Sequence, residues 1–218
     1  MSEPVTSTND LEHVQPAAHP VVPYDPVANQ IGMWLFLFTE FVLFGILFIC
    51  FAVYLYEYKW QFEKGSGELN VAFGTINTLI LLTSSLTVAL AIAAMERSRK
   101  SLCVNLLTIT VILAMAFFMI KSYEWGMKFE HGIYPGSTHL LEDFTKGENV
   151  FFGLYFTMTG LHGLHVLIGV TLLLFVRHKI QRDQVTPARI SLLENSGLYW
   201  HLVDLIWIFL FPLFYLIS

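Results

Sequence analysis

Five stretches of this sequence are long, apolar and nearly free of charge, and this feature restricts the fold more than any other. A helix needs about 20 mostly apolar residues to cross the hydrocarbon core of a bilayer. Backbone amides in lipid find no water, so each crossing segment has to satisfy its own hydrogen bonds, as an α-helix does. The sequence therefore predicts an all-α membrane protein, a bundle of five transmembrane helices, at about 31–58, 69–95, 101–127, 149–177 and 194–217.

The composition agrees with a membrane location. Hydrophobic residues make up 55% of the chain and charged residues 13%, with a mean hydropathy of +0.60, whereas about a quarter of the residues in soluble domains are charged. The net charge of −5 offers no basic surface, so no nucleic-acid partner is expected. Cys50 and Cys103 lie in apolar stretches, too far apart for a CxxC pair, and are interpreted as small packing residues.

The transmembrane domain, residues 31–218, follows a polar, proline-containing tail, residues 1–30. This tail contains no Lys or Arg and no apolar run, so it does not resemble a secretory signal. Basic residues set the orientation, because short cytoplasmic loops carry an excess of Lys and Arg. The loops on the side of the tail hold seven (Arg97, Arg99, Lys100, Arg177, Lys179, Arg182 and Arg189), and the opposite loops hold five (Lys59, Lys64, Lys121, Lys128 and Lys146). The N-terminus is therefore predicted to be cytoplasmic and the C-terminus external.

The longest predicted loop, residues 121–148, is rich in acids. Its acidic residues are Glu124, Glu130, Glu142, Asp143 and Glu148. Such a face would attract a basic partner by long-range steering. The alternative is a loop that is merely solvated.

Glu40 is the first ionisable side chain placed deep in a span. It lies about 14 Å into the first helix at roughly 1.5 Å per residue, near the middle of the bilayer. A charge there is costly unless it faces protein or water, so burial is expected to keep the carboxyl largely protonated. Nothing beside it in the sequence can pair with it. A protonated buried carboxyl could relay protons, react with a hydrophobic carbodiimide, or hydrogen-bond to a neighbouring helix.

The fourth and fifth spans contain the other intramembrane titratable groups. The i, i+3 spacing places His162 with His165 on one helix face, and His201 with Asp204 on another. Three imidazoles and a carboxylate on two helices could bind a metal. The alternative is that Asp204 pairs with His201 or with a histidine of a neighbouring helix, each satisfying the other inside the bundle.

Small and hydroxyl-bearing residues recur at helical spacing in the second and fourth spans. Such residues let helices approach closely and form hydrogen bonds between helices. They predict helix interfaces at Asn77, Ser84 and Ser85 in the second span and at Gly160 and Gly163 in the fourth.

Several of these motifs together resemble one family, subunit III of the haem-copper respiratory oxidases, the cytochrome c oxidase subunit III family. The most specific are the run TGLHGLHV beginning at Thr159 and the run YWHLVD beginning at Tyr199. Supporting motifs are Thr39-Glu40 followed by Phe41 and Phe44, NTL beginning at Asn77 followed by the Ser84-Ser85 pair, and YEW beginning at Tyr123. The resemblance covers about residues 31–218 and is to the five-helix bacterial form.

This resemblance implies a role for each site. Glu40 would be the family's buried, carbodiimide-reactive glutamate beside the proton-uptake side of the catalytic subunit. The positions His162, His165, Tyr199, Trp200, His201 and Asp204 would be intramembrane structural and lipid-associated residues that bind no metal. Bound phospholipid is expected.

The resemblance also implies a function and partners. The chain would be a non-catalytic core subunit in the bacterial inner membrane, within a complex that reduces O₂ to water and pumps protons. Haem and copper would reside in the catalytic subunit I and, for cytochrome c oxidases, copper also in subunit II. Further oxidase or supercomplex subunits would be additional partners.

Other functions stay open on the sequence alone. The chain could be the subunit III-like protein of a nitric oxide reductase or of a quinol oxidase. From a different class, it could be a stand-alone membrane metalloenzyme using His162, His165, His201 and Asp204. A small transporter with Glu40 as its proton site is a third possibility.

Overall fold

The computed structural model describes residues 26–187 and 190–217, which fold into helices joined by short connections. In chain order they are α1 (Pro26–Glu57), α2 (Lys59–Gly67), α3 (Val71–Glu96), α4 (Lys100–Glu130), α5 (Thr138–Asp143), α6 (Lys146–Gln181) and α7 (Ser191–Tyr215). Five of them, α1, α3, α4, α6 and α7, are long and apolar enough to cross a membrane. The predicted five-span, all-helical fold is therefore confirmed.

The helix bounds differ from the expectation mainly in the connections. Helix α1 begins at Pro26 rather than Ile31, and two short helices, α2 and α5, occupy segments predicted as loops. Residues 1–25 of the predicted tail, and Arg189 of the orientation argument, lie outside the described residues.

Local capping interactions explain where several helices start. The Asn70 side chain accepts a hydrogen bond from the Ala72 amide at the start of α3. Thr145 and Glu148 form a reciprocal capping box at the start of α6. Such side chains satisfy amides that have no partner within their own helix.

Helices α3, α4, α6 and α7 pack together, with α3 and α4 as an antiparallel hairpin, while α1 lies on α6 and α7. An aromatic cluster anchors the end of α1 and the short α2 to this bundle. Phe51 is edge-on to Phe62 at 5.2 Å and to Phe214 at 5.0 Å between ring centroids, and Phe151 completes the cluster. Edge-to-face rings of this kind add to the stability obtained from burial alone.

The outer surface of the bundle is apolar along the long helices. On α1 the exposed apolar residues include Ile31, Phe38, Ile46, Ile49 and Val53. A surface of this kind is suited to lipid tails or to another membrane subunit. Cys50 belongs to this exposed side and Cys103 is buried, so only Cys103 is the packing residue that both cysteines were predicted to be.

Candidate functional site: polar clusters within the bundle

The Glu40 carboxyl has a partner on another helix. Its Oε2 lies 2.8 Å from Nε2 of His165, which joins α1 to α6, with side-chain exposures of 16% and 9%. Phe44 shields the imidazole edge-on at 5.3 Å between ring centroids. The residues next to Glu40 in the sequence offer no partner. The structure supplies one from 125 positions away.

The second nitrogen of His165 determines how many protons this pair holds. Nδ1 lies 2.8 Å from the Leu161 carbonyl oxygen, an acceptor only, so Nδ1 carries a hydrogen. The bond between Nε2 and the carboxyl then holds one proton, whether it resides on His165 or on Glu40. The pair is neutral overall in both forms, which reduces the cost of burying it in a span.

The predicted pairing of Asp204 with a histidine does not occur. Both Asp204 carboxyl oxygens are buried without a hydrogen-bond partner among the described residues. His201 instead contacts Ser85, with 2.6 Å between Nδ1 and the hydroxyl oxygen. The i, i+3 spacing places His201 and Asp204 on one face of α7, but the His201 imidazole bonds to the Ser85 hydroxyl of α3 instead.

His162 is fully buried in an aromatic environment. Its ring centroid lies 5.2 Å from that of Trp207 and 5.8 Å from that of Phe117. Neither imidazole nitrogen has a hydrogen-bond partner in the described part of the chain. His162 and His165 therefore share a helix face by sequence spacing, but they differ in their contacts.

The four residues of the metalloenzyme alternative do not assemble a ligand set. Within residues 26–187 and 190–217, no group of three or more His, Cys, Asp or Glu side chains is placed to hold a metal ion. His165 is engaged by Glu40 and His201 by Ser85. The arrangement provides helix contacts rather than a coordination sphere.

Helices α3 and α7 are joined by a polar seam of three hydrogen bonds. The indole of Trp200 donates to the Ser84 hydroxyl at 3.0 Å, and the indole of Trp207 donates to Thr78 at 3.0 Å. The Ser85–His201 contact lies beside them. Asn77, predicted at the same interface, is buried there with its amide atoms unpaired in the described chain.

Tyr199 and Trp200 lie at the α6–α7 contact. The Tyr199 hydroxyl donates to the His165 carbonyl oxygen at 3.3 Å, and its ring stacks on Phe36. A Cβ added at Gly169 would come within 2.8 Å of the Trp200 ring. Gly169 thus allows the close approach of these helices.

Gly160 and Gly163 line a groove between α4 and α6 of about 250 Å³. A Cβ at Gly160 would meet the Trp125 ring at 3.3 Å, and one at Gly163 would be 3.9 Å from Phe118. Gly160 therefore serves a tight helix contact, whereas a Cβ at Gly163 would make only an ordinary van der Waals contact.

The largest polar cluster was missed by the sequence analysis. Lys121 Nζ lies 3.0 Å from Glu124 Oε2 and donates to the hydroxyls of Tyr155 and Tyr215 at 3.0 and 2.7 Å. Both hydroxyls also donate to Glu124 Oε1, at 3.1 and 2.6 Å. All four side chains are buried, and they join α4, α6 and α7.

The acidic residues of the predicted loop divide into two groups: Glu130, Glu142 and Asp143 are exposed, whereas Glu124 and Glu148 are buried. Helix α4 continues to Glu130, so Lys121 and Glu124 are helical and buried instead of solvated. Glu148 is also buried, at the start of α6, and pairs with Lys64 at 2.8 Å. Lysine and glutamate at i, i+3 near the end of an apolar span were the signal available in the sequence.

Two adjoining cavities separate α1 from α7. One, of about 710 Å³, includes Glu96 and Glu194 among its lining residues. The other, of about 480 Å³, is apolar and borders it at Trp34, Leu198 and His201. Helix α1 therefore does not pack tightly against α7 at this end.

Comparison with known proteins identifies the family. The pattern of the family described as cytochrome c oxidase subunit III matches residues 26–218. The probable cytochrome c oxidase subunit 3 of Rickettsia bellii is 31% identical over 95% of this chain and 72% of its own length. The cytochrome bo(3) ubiquinol oxidase subunit 3 of Buchnera aphidicola is 26% identical, over 85% of this chain and 84% of its own length. The probable quinol oxidase subunit 3 of Staphylococcus aureus is 28% identical, over 87% and 89%.

The five-span fold, the location of the motifs within the spans and the named relatives all indicate the same family. This chain belongs to the cytochrome c oxidase subunit III family and is a multi-pass protein of the bacterial inner membrane, of the kind that forms subunit III of haem-copper oxidases.

Proposed function

We propose that this chain is the non-catalytic core subunit III of a proton-pumping oxidase of the cytochrome c oxidase type, which reduces O₂ to water. Its role is to support the catalytic subunit, its proton uptake and its stability. The observation that carries the proposal is the family match along residues 26–218, combined with relatives named as oxidase subunits.

The donor groups in the described part of the chain offer no ligand set for a copper centre of such an oxidase. Among the residues described, no three His, Cys, Asp or Glu side chains lie close enough together to hold a metal ion. The most buried imidazole, that of His162, is enclosed by Phe117 and Trp207. We propose that haem and copper reside in the partner catalytic subunit I and, for a cytochrome c oxidase, copper also in subunit II.

The Glu40–His165 pair is the element we assign to proton uptake. It holds one exchangeable proton in a neutral arrangement within a span, and the carboxyl retains some exposure on the side of α1. A site of this kind can accept or release a proton without leaving an isolated charge in lipid. Its reactivity toward a hydrophobic carbodiimide would report the protonated carboxyl.

Bound phospholipid is part of the same proposal. The exposed apolar faces of the long helices and the apolar cavity between α1 and α7 offer surfaces for acyl chains. The intramembrane residues near that cavity, His201 among them, would then be lipid-associated as well as structural.

Co-purification tests the proposal directly. The full chain, tagged and isolated from its own membranes in mild detergent, is expected to bring partners whose absorption spectrum shows haem and whose activity consumes O₂. Purification without any haem-bearing partner would contradict the proposal. Haem-bearing partners that reduce nitric oxide and not O₂ would assign the chain to the nitric oxide reductase alternative.

A quinol oxidase is the second candidate, since two of the relatives carry quinol oxidase names. The electron donor distinguishes the two. Oxidation of reduced cytochrome c by the purified complex supports the first candidate, and oxidation of a short-chain ubiquinol with no activity toward cytochrome c supports the second.

The orientation, with the N-terminus cytoplasmic, belongs to the proposal too. The basic turns after α3 and α6 support it through the excess of Lys and Arg on their side. Labelling of Ser98→Cys by an impermeant maleimide tests it. Reaction is expected in inverted vesicles and not in intact spheroplasts.

A further inference from the structure

The turn between α3 and α4 presents two arginines side by side. Arg97 ends α3 and Arg99 precedes α4, with Ser98 between them in a left-handed conformation at φ 58°. Both arginine side chains are exposed. The tight turn thus holds two positive charges at one end of the helix hairpin.

These two arginines differ from the lysine beside them. Lys100 is engaged by Asp183 at 2.5 Å and by the Gln181 carbonyl oxygen at 3.2 Å. Arg97 and Arg99 take part in no ion pair with an acidic residue of the described chain. Glu96, next to Arg97 in sequence, lines the cavity between α1 and α7 instead. The charge of the two guanidinium groups is therefore available to a ligand.

An apolar groove descends from these arginines between α3 and α4. It has a volume of about 190 Å³, with Arg97 and Arg99 as its charged lining residues. Its apolar lining is Leu90, Ala93, Ala94, Leu102 and Leu106. Positive charge at the mouth and hydrocarbon below match the two parts of a phospholipid, the phosphate and an acyl chain.

We propose that this groove binds one diacyl phospholipid with a net negative headgroup. The phosphodiester lies against Arg97 and Arg99, and one acyl chain occupies the groove above Leu102 and Leu106. Charge complementarity favours an anionic headgroup. A zwitterionic headgroup also carries a positive group, which the two guanidinium groups would repel. In the predicted orientation the turn faces the cytoplasmic leaflet, where anionic lipids attract basic residues.

The test uses photoactivatable lipid. The full chain, in the complex with which it is purified, is reconstituted in nanodiscs containing phosphatidylglycerol with a diazirine in its acyl chain. Irradiation is followed by mass spectrometry of the fragment that contains Leu90, Leu102 and Leu106. We expect this fragment to be labelled several-fold more by phosphatidylglycerol than by the matching phosphatidylcholine.

Variants locate the binding to the arginines. Each arginine should contribute roughly fivefold to affinity, so Arg97→Gln/Arg99→Gln is expected to weaken binding roughly 25-fold and reduce labelling to the phosphatidylcholine level. The matched control is Arg182→Gln, an exposed basic residue at the other predicted cytoplasmic turn, where labelling of the groove should be unchanged.

Three results would overturn the proposal. These are equal labelling by the two lipids in the wild-type protein, unchanged labelling in the double variant, and loss of labelling when millimolar glycerol phosphate is added, which would indicate a site for a soluble anion. The comparison of lipids in the wild-type protein decides the question even if the double variant does not assemble. Because the readout is lipid on one fragment, it is separate from the oxidase activity that tests the proposed function.

Discussion

Two acid–base clusters in the described spans, one buried and one partly buried, satisfy charge in different ways. The Lys121–Glu124 cluster adds two tyrosine hydroxyls from α6 and α7. Glu124 Oε1 accepts from both hydroxyls, Oε2 accepts from the ammonium, and the ammonium also donates to both hydroxyls. The Glu40–His165 pair has one bond between its two members and lies where α1 meets the bundle. A network with several partners stabilises the packing of its helices, whereas the Glu40–His165 pair is the one proposed above to exchange a proton.

The largest expected effect breaks the Lys121–Glu124 cluster. Lys121→Met leaves the Glu124 carboxylate buried without its cation, and loss of one member of a buried pair costs about 3–5 kcal/mol. The free energy of unfolding, measured for the full chain by SDS titration, should fall by that amount. Lys146→Met, at an exposed lysine, is the control and should change little.

A double variant sharpens this test. Lys121→Met/Glu124→Gln removes both charges and keeps an oxygen that accepts from Tyr155 and Tyr215. It should be more stable than Lys121→Met alone. If the two substitutions were simply additive, the charges would not be coupled and the cluster would not act as one network.

The next effect concerns the close contact of α6 with α7 at Gly169. In Gly169→Ala the new Cβ would come within 2.8 Å of the Trp200 ring, which is held by its hydrogen bond to Ser84. Overpacking of this kind costs about 1–3 kcal/mol. Gly153→Ala, in the same helix with nothing within 4 Å of the added Cβ, should instead be neutral or stabilising by about 0.5–1 kcal/mol. Thermal unfolding of both variants in detergent would show whether their signs are opposite.

Substitutions of Glu40 test the exchangeable pair. Glu40→Leu leaves Nε2 of His165 without a partner, at a cost of about 1–3 kcal/mol. Glu40→Gln keeps a polar atom near His165, so the complex should assemble, while proton uptake measured in vesicles changes modestly because an amide carries no exchangeable acid proton. Failure of Glu40→Gln to assemble would show that Glu40 mainly holds the fold.

The smallest effect is expected for an exposed ion pair. Lys100 and Asp183 are 2.5 Å apart, but their side chains are 39% and 77% exposed. Pairs in contact with solvent contribute about 0–1 kcal/mol. Lys100→Gln should therefore lower the free energy of unfolding by less than about 1 kcal/mol. A loss comparable to that of Lys121→Met would remove the distinction between buried and exposed pairs.

The Asp204→Ala substitution tests a pairing with a histidine that the sequence predicted and that is absent among the described residues. If Asp204 paired with a histidine, as the sequence suggested, its removal would leave that partner unpaired and impair assembly. The structure gives the Asp204 carboxyl no hydrogen-bond partner among the described residues. We therefore expect Asp204→Ala to assemble, and a severe assembly defect would indicate a contact made only in the complex.

Much of the candidate site could be found by inspection of the spans. Glu40, the histidines and the Ser84-Ser85 pair were singled out because polar groups in lipid are costly and rare. Their partners were harder to identify. Glu40 and His165 are 125 positions apart, and nothing in either local sequence specifies the other. Lys121 was assigned to a loop because a lysine and a glutamate appear to end a span, and only burial by Tyr155 and Tyr215 shows otherwise.

The sequence by itself determined the number of spans, the all-helical fold and the family. Hydrocarbon requires long apolar segments, and the motifs that indicate the family can be read directly from the sequence. Which polar groups meet was decided only by the tertiary structure. Hydrogen bonds between helices depend on the rotation and depth of each helix in the bundle, and a linear sequence of apolar residues leaves both unspecified.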